Sequence, residues 1–155
     1  MSEDGYDSAL TIAAVWKNSE LLEILLSHPE IKINKKINSD GPGRFGEKCQ
    51  WTALLFACED WNSAIVSRLV QVPGLDINYQ DEEEGWTAPL VACIYGDADC
   101  VRILAETGRV DWNKANEWGK TPLFWALRGG VSDIVDIIVK QPNVDYNVKT
   151  KDGDW

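Results

Sequence analysis

The sequence predicts an all-α solenoid of stacked helix-turn-helix units, and three observations carry that expectation. Ser8, Thr52, Thr87 and Thr121 are each followed five residues on by an alanine (Ala13, Ala57, Ala92 and Ala126), and 26 residues on by an asparagine (Asn34, Asn78, Asn113 and Asn147). A fixed internal length with changing side chains marks a repeated structural unit. Each interval also holds two short apolar segments with helical spacing. A unit of this length cannot bury its apolar face alone, so the units must stack, and 155 residues with 45% hydrophobic content suffice for one domain with a sizeable core.

In chain order, the first helices read SALTIAA, TALLFAC, TAPLVAC and TPLFWAL, and the second read SELLEILLS, SAIVSRLVQ, DADCVRILA and VSDIVDIIV. The Ser or Thr opening each first helix is a good N-cap, because its side-chain oxygen can accept from an orphan backbone N–H. Alanine or proline then suits the first helical position. Leu10, Leu54 and Leu123 are expected in the core, and the alanines five residues on let neighbouring helices approach closely. In the second helices Leu21, Leu22, Leu25 and Leu26, or Ile134, Val135, Ile137 and Ile138, recur at helical spacing. Short polar turns such as Trp16-Lys17-Asn18 and Tyr95-Gly96-Asp97 join the two helices, and each second helix runs into PEIKIN, PGLDIN, GRVDWN or PNVDYN.

This pattern resembles the ankyrin repeat, whose core reads T-P-L-H-x-A over about 33 residues. The best match is Gly119-Lys120-Thr121-Pro122-Leu123-Phe124-Trp125-Ala126, and the V-D-x-N that follows stands at the family's place. The resemblance covers nearly the whole chain and implies one ankyrin-repeat solenoid with β-hairpin fingers over 1–155. Its repeats are expected at about 4–36, 48–80, 83–115 and 117–149, with a finger insertion at 37–47 and the start of a fifth repeat at 150–155. The Asn-to-Thr intervals of 18, 9 and 8 residues make the first finger the longest. The family pattern is broken in three ways. Pro89 stands where leucine is usual. Thr11, Leu55, Leu90 and Phe124 occupy the histidine position. Lys17 and Trp61 replace the glycine between helices in the first two repeats.

Composition restricts the function classes. With 25 acidic and 15 basic residues the net charge is −10. Such a surface repels nucleic acids and acidic membranes and speeds encounter with basic partners. No run of about 18 apolar residues is present to span a membrane, and the acidic start MSEDGYDSALT has no apolar signal core. Cys49, Cys58, Cys93 and Cys100 show no C-x-x-C spacing, and three lie in apolar helical patterns. Free buried thiols suit a reducing compartment, so the expectation is cytoplasmic, with the nucleus as the alternative.

Residues that could carry chemistry do not assemble into a catalytic pattern. Gly41-Pro42-Gly43-Arg44-Phe45-Gly46 matches G-x-G-x-x-G in letters but lacks the preceding strand and following helix of a nucleotide site, and reads as finger. Asp81-Glu82-Glu83-Glu84 lacks the alternating ligands of a calcium loop and reads as a solvated hairpin tip. His28 is the single histidine, so neither a zinc site nor a histidine-based nucleophile pair is indicated. No enzyme activity, metal or cofactor is expected. Among the tryptophans, Trp125 is expected in the core and Trp112 beside Val110, while Trp51 and Trp86 either brace their turns or face a partner.

By the resemblance, partners bind at finger tips and the inner face of the first helix. The residues this implies are Trp16, Trp51, Glu59, Asp60, Glu83, Glu84, Trp86, Ile94, Tyr95, Glu117, Trp118 and Arg128, with Asp7, Val15 and Lys120 at matching positions beside them. The set is aromatic and acidic, which suits a protein or peptide presenting a basic or mixed basic-aliphatic segment. The alternative is an assembly element that docks end to end with itself, or with further repeats of a longer parent, through the apolar C-terminal repeat. The asparagines are read as ties between neighbouring units, and the resemblance adds Asn78 and Asn113 as hydroxylation acceptors.

Overall fold

A computed structural model describes residues 9–39, 49–147 and 149–153. Asp7, the glycine-rich segment 41–46 and Trp155 lie outside the described residues. Four helix pairs follow one another: α1 (Ala9–Val15) with α2 (Ser19–Leu26), α3 (Ala53–Glu59) with α4 (Ser63–Leu69), α5 (Ala88–Tyr95) with α6 (Ala98–Glu106), and α7 (Pro122–Gly129) with α8 (Ser132–Val139). The first helices pack on one another in the order α1, α3, α5, α7, and the second helices form a parallel row α2, α4, α6, α8. Each helix is only two turns long, too short to persist alone in water. Stability must therefore come from the stacking of the pairs.

The repeated residues explain the stack. Ala13, Ala57, Ala92 and Ala126 have no accessible surface, and each sits on an inner helix that packs against a neighbouring one. Their backbone matters too: the carbonyls of Ala13, Ala57 and Ala92 accept the N–H of Asn18, Asn62 and Asp97. Those three residues then cap the second helices, accepting from the N–H of Leu21, Ile65 and Cys100 at 2.9–3.1 Å. Val131 holds the same place before α8 without a side-chain cap. The expected caps of the first helices form at Thr87 and Thr121, whose hydroxyls accept from Leu90 and Phe124. Thr52 departs from that expectation: its hydroxyl makes no capping bond to α3, and its carbonyl alone receives the N–H groups of Leu55 and Phe56.

Between the paired helices the chain must turn through a left-handed residue. Gly96 and Gly130 do so at φ 73° and 66°, and Lys17 and Trp61 adopt the same conformation at 55° and 58°. The backbone is therefore conserved across repeats where the residue type is not.

Asparagines lock each repeat to the next. The amide of Asn34 donates to the carbonyl of Gly74 (2.7 Å) and accepts the N–H of Asp76 (2.8 Å). Asn78 bonds Arg109 and Asp111 in the same way, and Asn113 bonds Asn143 and Asp145, all at 2.7–2.8 Å. The core runs through all four pairs and includes Leu10, Leu54, Leu90, Leu104, Ile134 and Ile138. Trp112 is buried as expected for packing beside the half-buried Val110. Cys58, Cys93 and Cys100 are free and buried where α3, α5 and α6 meet. A hydrogen bond with Cys58, and then burial, raises the Cys100 thiol pKa, while burial raises that of Cys93.

The fingers are not alike. The first contains an antiparallel pair, β1 (Ile37–Ser39) and β2 (Cys49–Trp51), in register Ile37 with Trp51 and Asn38 with Gln50. The second and third close more tightly, through Asp81 N–H to the Trp86 carbonyl (2.9 Å) and Asn116 N–H to the Lys120 carbonyl (3.1 Å). Among the described residues, strand pairing is confined to the first finger.

Candidate binding face

The second finger is organised by Asp81. One of its carboxylate oxygens accepts the N–H groups of Glu83 (3.0 Å) and Glu84 (2.9 Å), and the other accepts that of Trp86. Asp81 is only 4% exposed, so the acidic run is not uniformly a solvated tip. Its first member folds the turn, and Glu82 and Glu83 remain outside. Glu82 pairs with Lys36 from the preceding finger at 2.6 Å. Asn116 plays the part of Asp81 in the third finger, accepting from Trp118 and Lys120 at 3.2 and 3.0 Å.

Adjacent fingers are bonded side by side. The Glu117 N–H donates to the Glu84 carbonyl (2.9 Å), and the Lys151 N–H to the Trp118 carbonyl (3.2 Å). Gln80 donates to the carbonyls of both Gly85 and Ala115 at 2.8 Å. Gly85 sits at φ 77°, and a Cβ there would lie 3.2 Å from Asn116 Cα and from Glu117 N. Both its conformation and the close approach of the next finger require glycine.

This scaffold separates the expected contact residues. Trp51 and Trp86 are 3% and 4% exposed and turn inward. Trp51 packs edge-on to Phe56 (5.4 Å between centroids), while Trp86 Nε1 donates to Glu84 (2.6 Å). Both indoles therefore brace their fingers, and the small exposed part of Trp86 borders a cavity. Glu84, Trp86, Ile94 and Trp118 meet around a cavity of about 480 Å³, which Lys120, Trp125 and Asp152 complete. Trp16, Glu59, Asp60, Tyr95 and Arg128 do not line it and lie at or near the C-terminal ends of the inner helices. There Glu59 accepts from the Tyr95 hydroxyl (3.2 Å), and Trp16 is 74% exposed. Glu83, Glu117 and Arg128 are exposed.

Three side chains of the face were not expected on it. Trp125 is half-buried and lines the cavity instead of the core, its ring 6.2 Å from that of Trp86 and perpendicular to Phe124 at 5.6 Å. Asp152 reaches back to pair with Lys120 (3.2 Å), whose ammonium lies 5.4 Å from the Phe124 ring and 5.8 Å from Trp125. Trp61 is 60% exposed in the turn between α3 and α4, in the left-handed conformation described above. Its one signal in the sequence is its place where two other repeats carry glycine.

Among the described residues, no group of three His, Cys, Asp or Glu side chains is disposed to hold a metal ion. No helix among them is long and apolar enough to cross a membrane. A sequence model of ankyrin repeats in three copies matches residues 54–150. The human SMC5-SMC6 complex localization factor protein 1 is 36% identical over 107 residues, which is 68% of this chain and 10% of that protein. The human transient receptor potential cation channel subfamily A member 1 is 26% identical over 138 residues, 88% of this chain and 11% of the channel. Ankyrin repeat-containing protein P1E11.10 of Schizosaccharomyces pombe is 36% identical over 80 residues, 52% of this chain and 36% of that protein. The chain thus spans only a minor part of the length of each of these relatives.

Proposed function

From the premise that this chain belongs to the ankyrin-repeat family, we propose that it binds a basic or mixed basic-aliphatic segment of another protein across its concave face. Ankyrin repeats are protein-interaction modules, and theirs is a non-enzymatic interaction fold. The choice of partner chemistry rests on one observation. The cavity between the second and third fingers presents Trp118, Trp125 and Ile94 with the carboxylates of Glu84 and Asp152 at its edge. Half-exposed indoles provide apolar contact area at little entropic cost, and surrounding acids steer a cationic segment towards them. Glu59, Asp60, Glu83 and Glu117 extend the same sign of charge along the face, against a net charge of −10 for the whole chain. The buried free thiols support a reducing compartment, the cytoplasm or nucleus.

Affinity capture from a lysate tests the reading, with the native chain and a Glu59→Lys/Asp60→Lys variant as parallel baits. Both substitutions are on half-buried helix-end positions, so the helical circular dichroism should be retained. The expected result is a set of proteins held by the native chain, lost from the variant, and released as salt rises. Equal retention by both baits would refute an acidic binding face.

A further inference from the structure

We propose that the cavity between the second and third fingers is an alkylammonium site: it receives a lysine side chain, unmodified or N-methylated, presented by a partner peptide. The proposal rests on the interaction reading above and names what its aromatic cavity holds. Three indoles wall the site. Trp86 lies 6.1 Å from Trp118 at an interplanar angle of 61°, and 6.2 Å from Trp125 at 36°. The face of an aromatic ring attracts a cation and repels an anion, so a cavity lined by three indoles favours a cationic occupant.

The charges around the rings agree. Glu84 and Asp152 contribute two carboxylates, and Lys120 one ammonium, leaving the lining formally at −1. The chain itself demonstrates the preference. The Lys120 ammonium is held over Phe124 and Trp125 at 5.4 and 5.8 Å, with its side chain only 13% exposed and Asp152 at 3.2 Å. An alkylammonium is therefore already stable against these rings. About 480 Å³ of space remains beside it, within the range of small-ligand clefts, about 300–1,000 Å³. An incoming ammonium finds indole faces and a net negative lining, but it also meets Lys120 as a like charge. Lys120 therefore sets how tightly a cation is held. A carboxylate ligand would face two carboxylates and the π faces with a single ammonium to meet it. A neutral chain would leave the charge of the site unused.

The test uses the full chain and three peptides that differ only at a central residue: lysine, N-trimethyl-lysine or norleucine, flanked by alanine and glycine. Tryptophan fluorescence and calorimetry read the binding. The expected result is saturable binding of at least one cationic peptide, tenfold or more tighter than norleucine, and the ranking of the two cationic peptides tells which methylation state is preferred. Trp118→Ala should weaken that binding at least tenfold with the helical circular dichroism retained. Lys120→Met should strengthen it severalfold, an effect that a purely apolar slot does not produce. Equal binding of the norleucine peptide, no binding of either cationic peptide, or unchanged or weaker cationic binding in Lys120→Met overturns the proposal. Lysate capture that still depends on Glu59 and Asp60 would then leave the interaction reading standing while the ammonium site falls.

Discussion

Trp61 holds a left-handed backbone conformation at φ 58° with most of its ring in solvent. For a bulky residue that conformation costs about 1–2 kcal/mol, and glycine adopts it freely. Because the exposed indole contributes little packing, Trp61→Gly should raise stability by about 1 kcal/mol, seen as a higher midpoint in urea with an unchanged slope. A lower midpoint would mean that the ring packs on the stack after all. Asn78 and Asn113 show the opposite balance. Each amide makes two backbone bonds to the following repeat, so the tie between units that the sequence suggested is made by both ends of one amide. The regular spacing of the asparagines could be read from the chain. Their partners, 30 to 40 residues away, could not, because those partners are backbone atoms with no residue signature.

The helix pairs were legible as elements, since two turns of apolar spacing, a capping residue and an inter-helix turn all recur. Fingers were legible only as intervals. Their geometry depends on side-chain-to-backbone bonds from Asp81 and Asn116, and on the room left by Gly85. Gly85→Ala would place a methyl group 3.2 Å from the backbone of the third finger while also straining φ. It should destabilise the fold by about 1–3 kcal/mol. Proteolysis should then open the chain first near residues 81–87. Cleavage that begins elsewhere, or an unchanged melting midpoint, would show that the fingers contribute less to the stack than their bonding implies.

Across the stack, Cys58, Cys93 and Cys100 join the second and third repeats through a dry contact. The raised pKa values of Cys100 and Cys93 keep both thiols protonated in the folded chain at pH values where unfolded cysteine, with a pKa of about 8.5, ionises. Stability from these groups is therefore fully present below that pH and is lost as pH rises above it. The expected slope is about 1.4 kcal/mol per pH unit for each such thiol. Denaturation midpoints measured from pH 7 to pH 10 should fall, and fall less steeply in Cys93→Ala. Identical slopes in the two proteins would place the alkaline loss in other groups. The thiols should also resist alkylation until the chain unfolds, because the reactive thiolate is disfavoured.

The repeat length, the helix pairs, the buried alanines and the ankyrin-repeat family follow from the chain alone, because each depends on residues close in sequence or on a period that the whole chain shares. The fate of the tryptophans does not. Trp51 and Trp86 read equally as contact or bracing residues and Trp125 read as core, and only the packing of one finger on the next turned the first two inward and left the third beside a cavity. Lys120 and Asp152 belong to different repeats, and their meeting over the Phe124 and Trp125 rings is a product of stacking. Burial and charge pairing between units depend on distances that no local pattern encodes, so the face that meets a partner is decided in three dimensions.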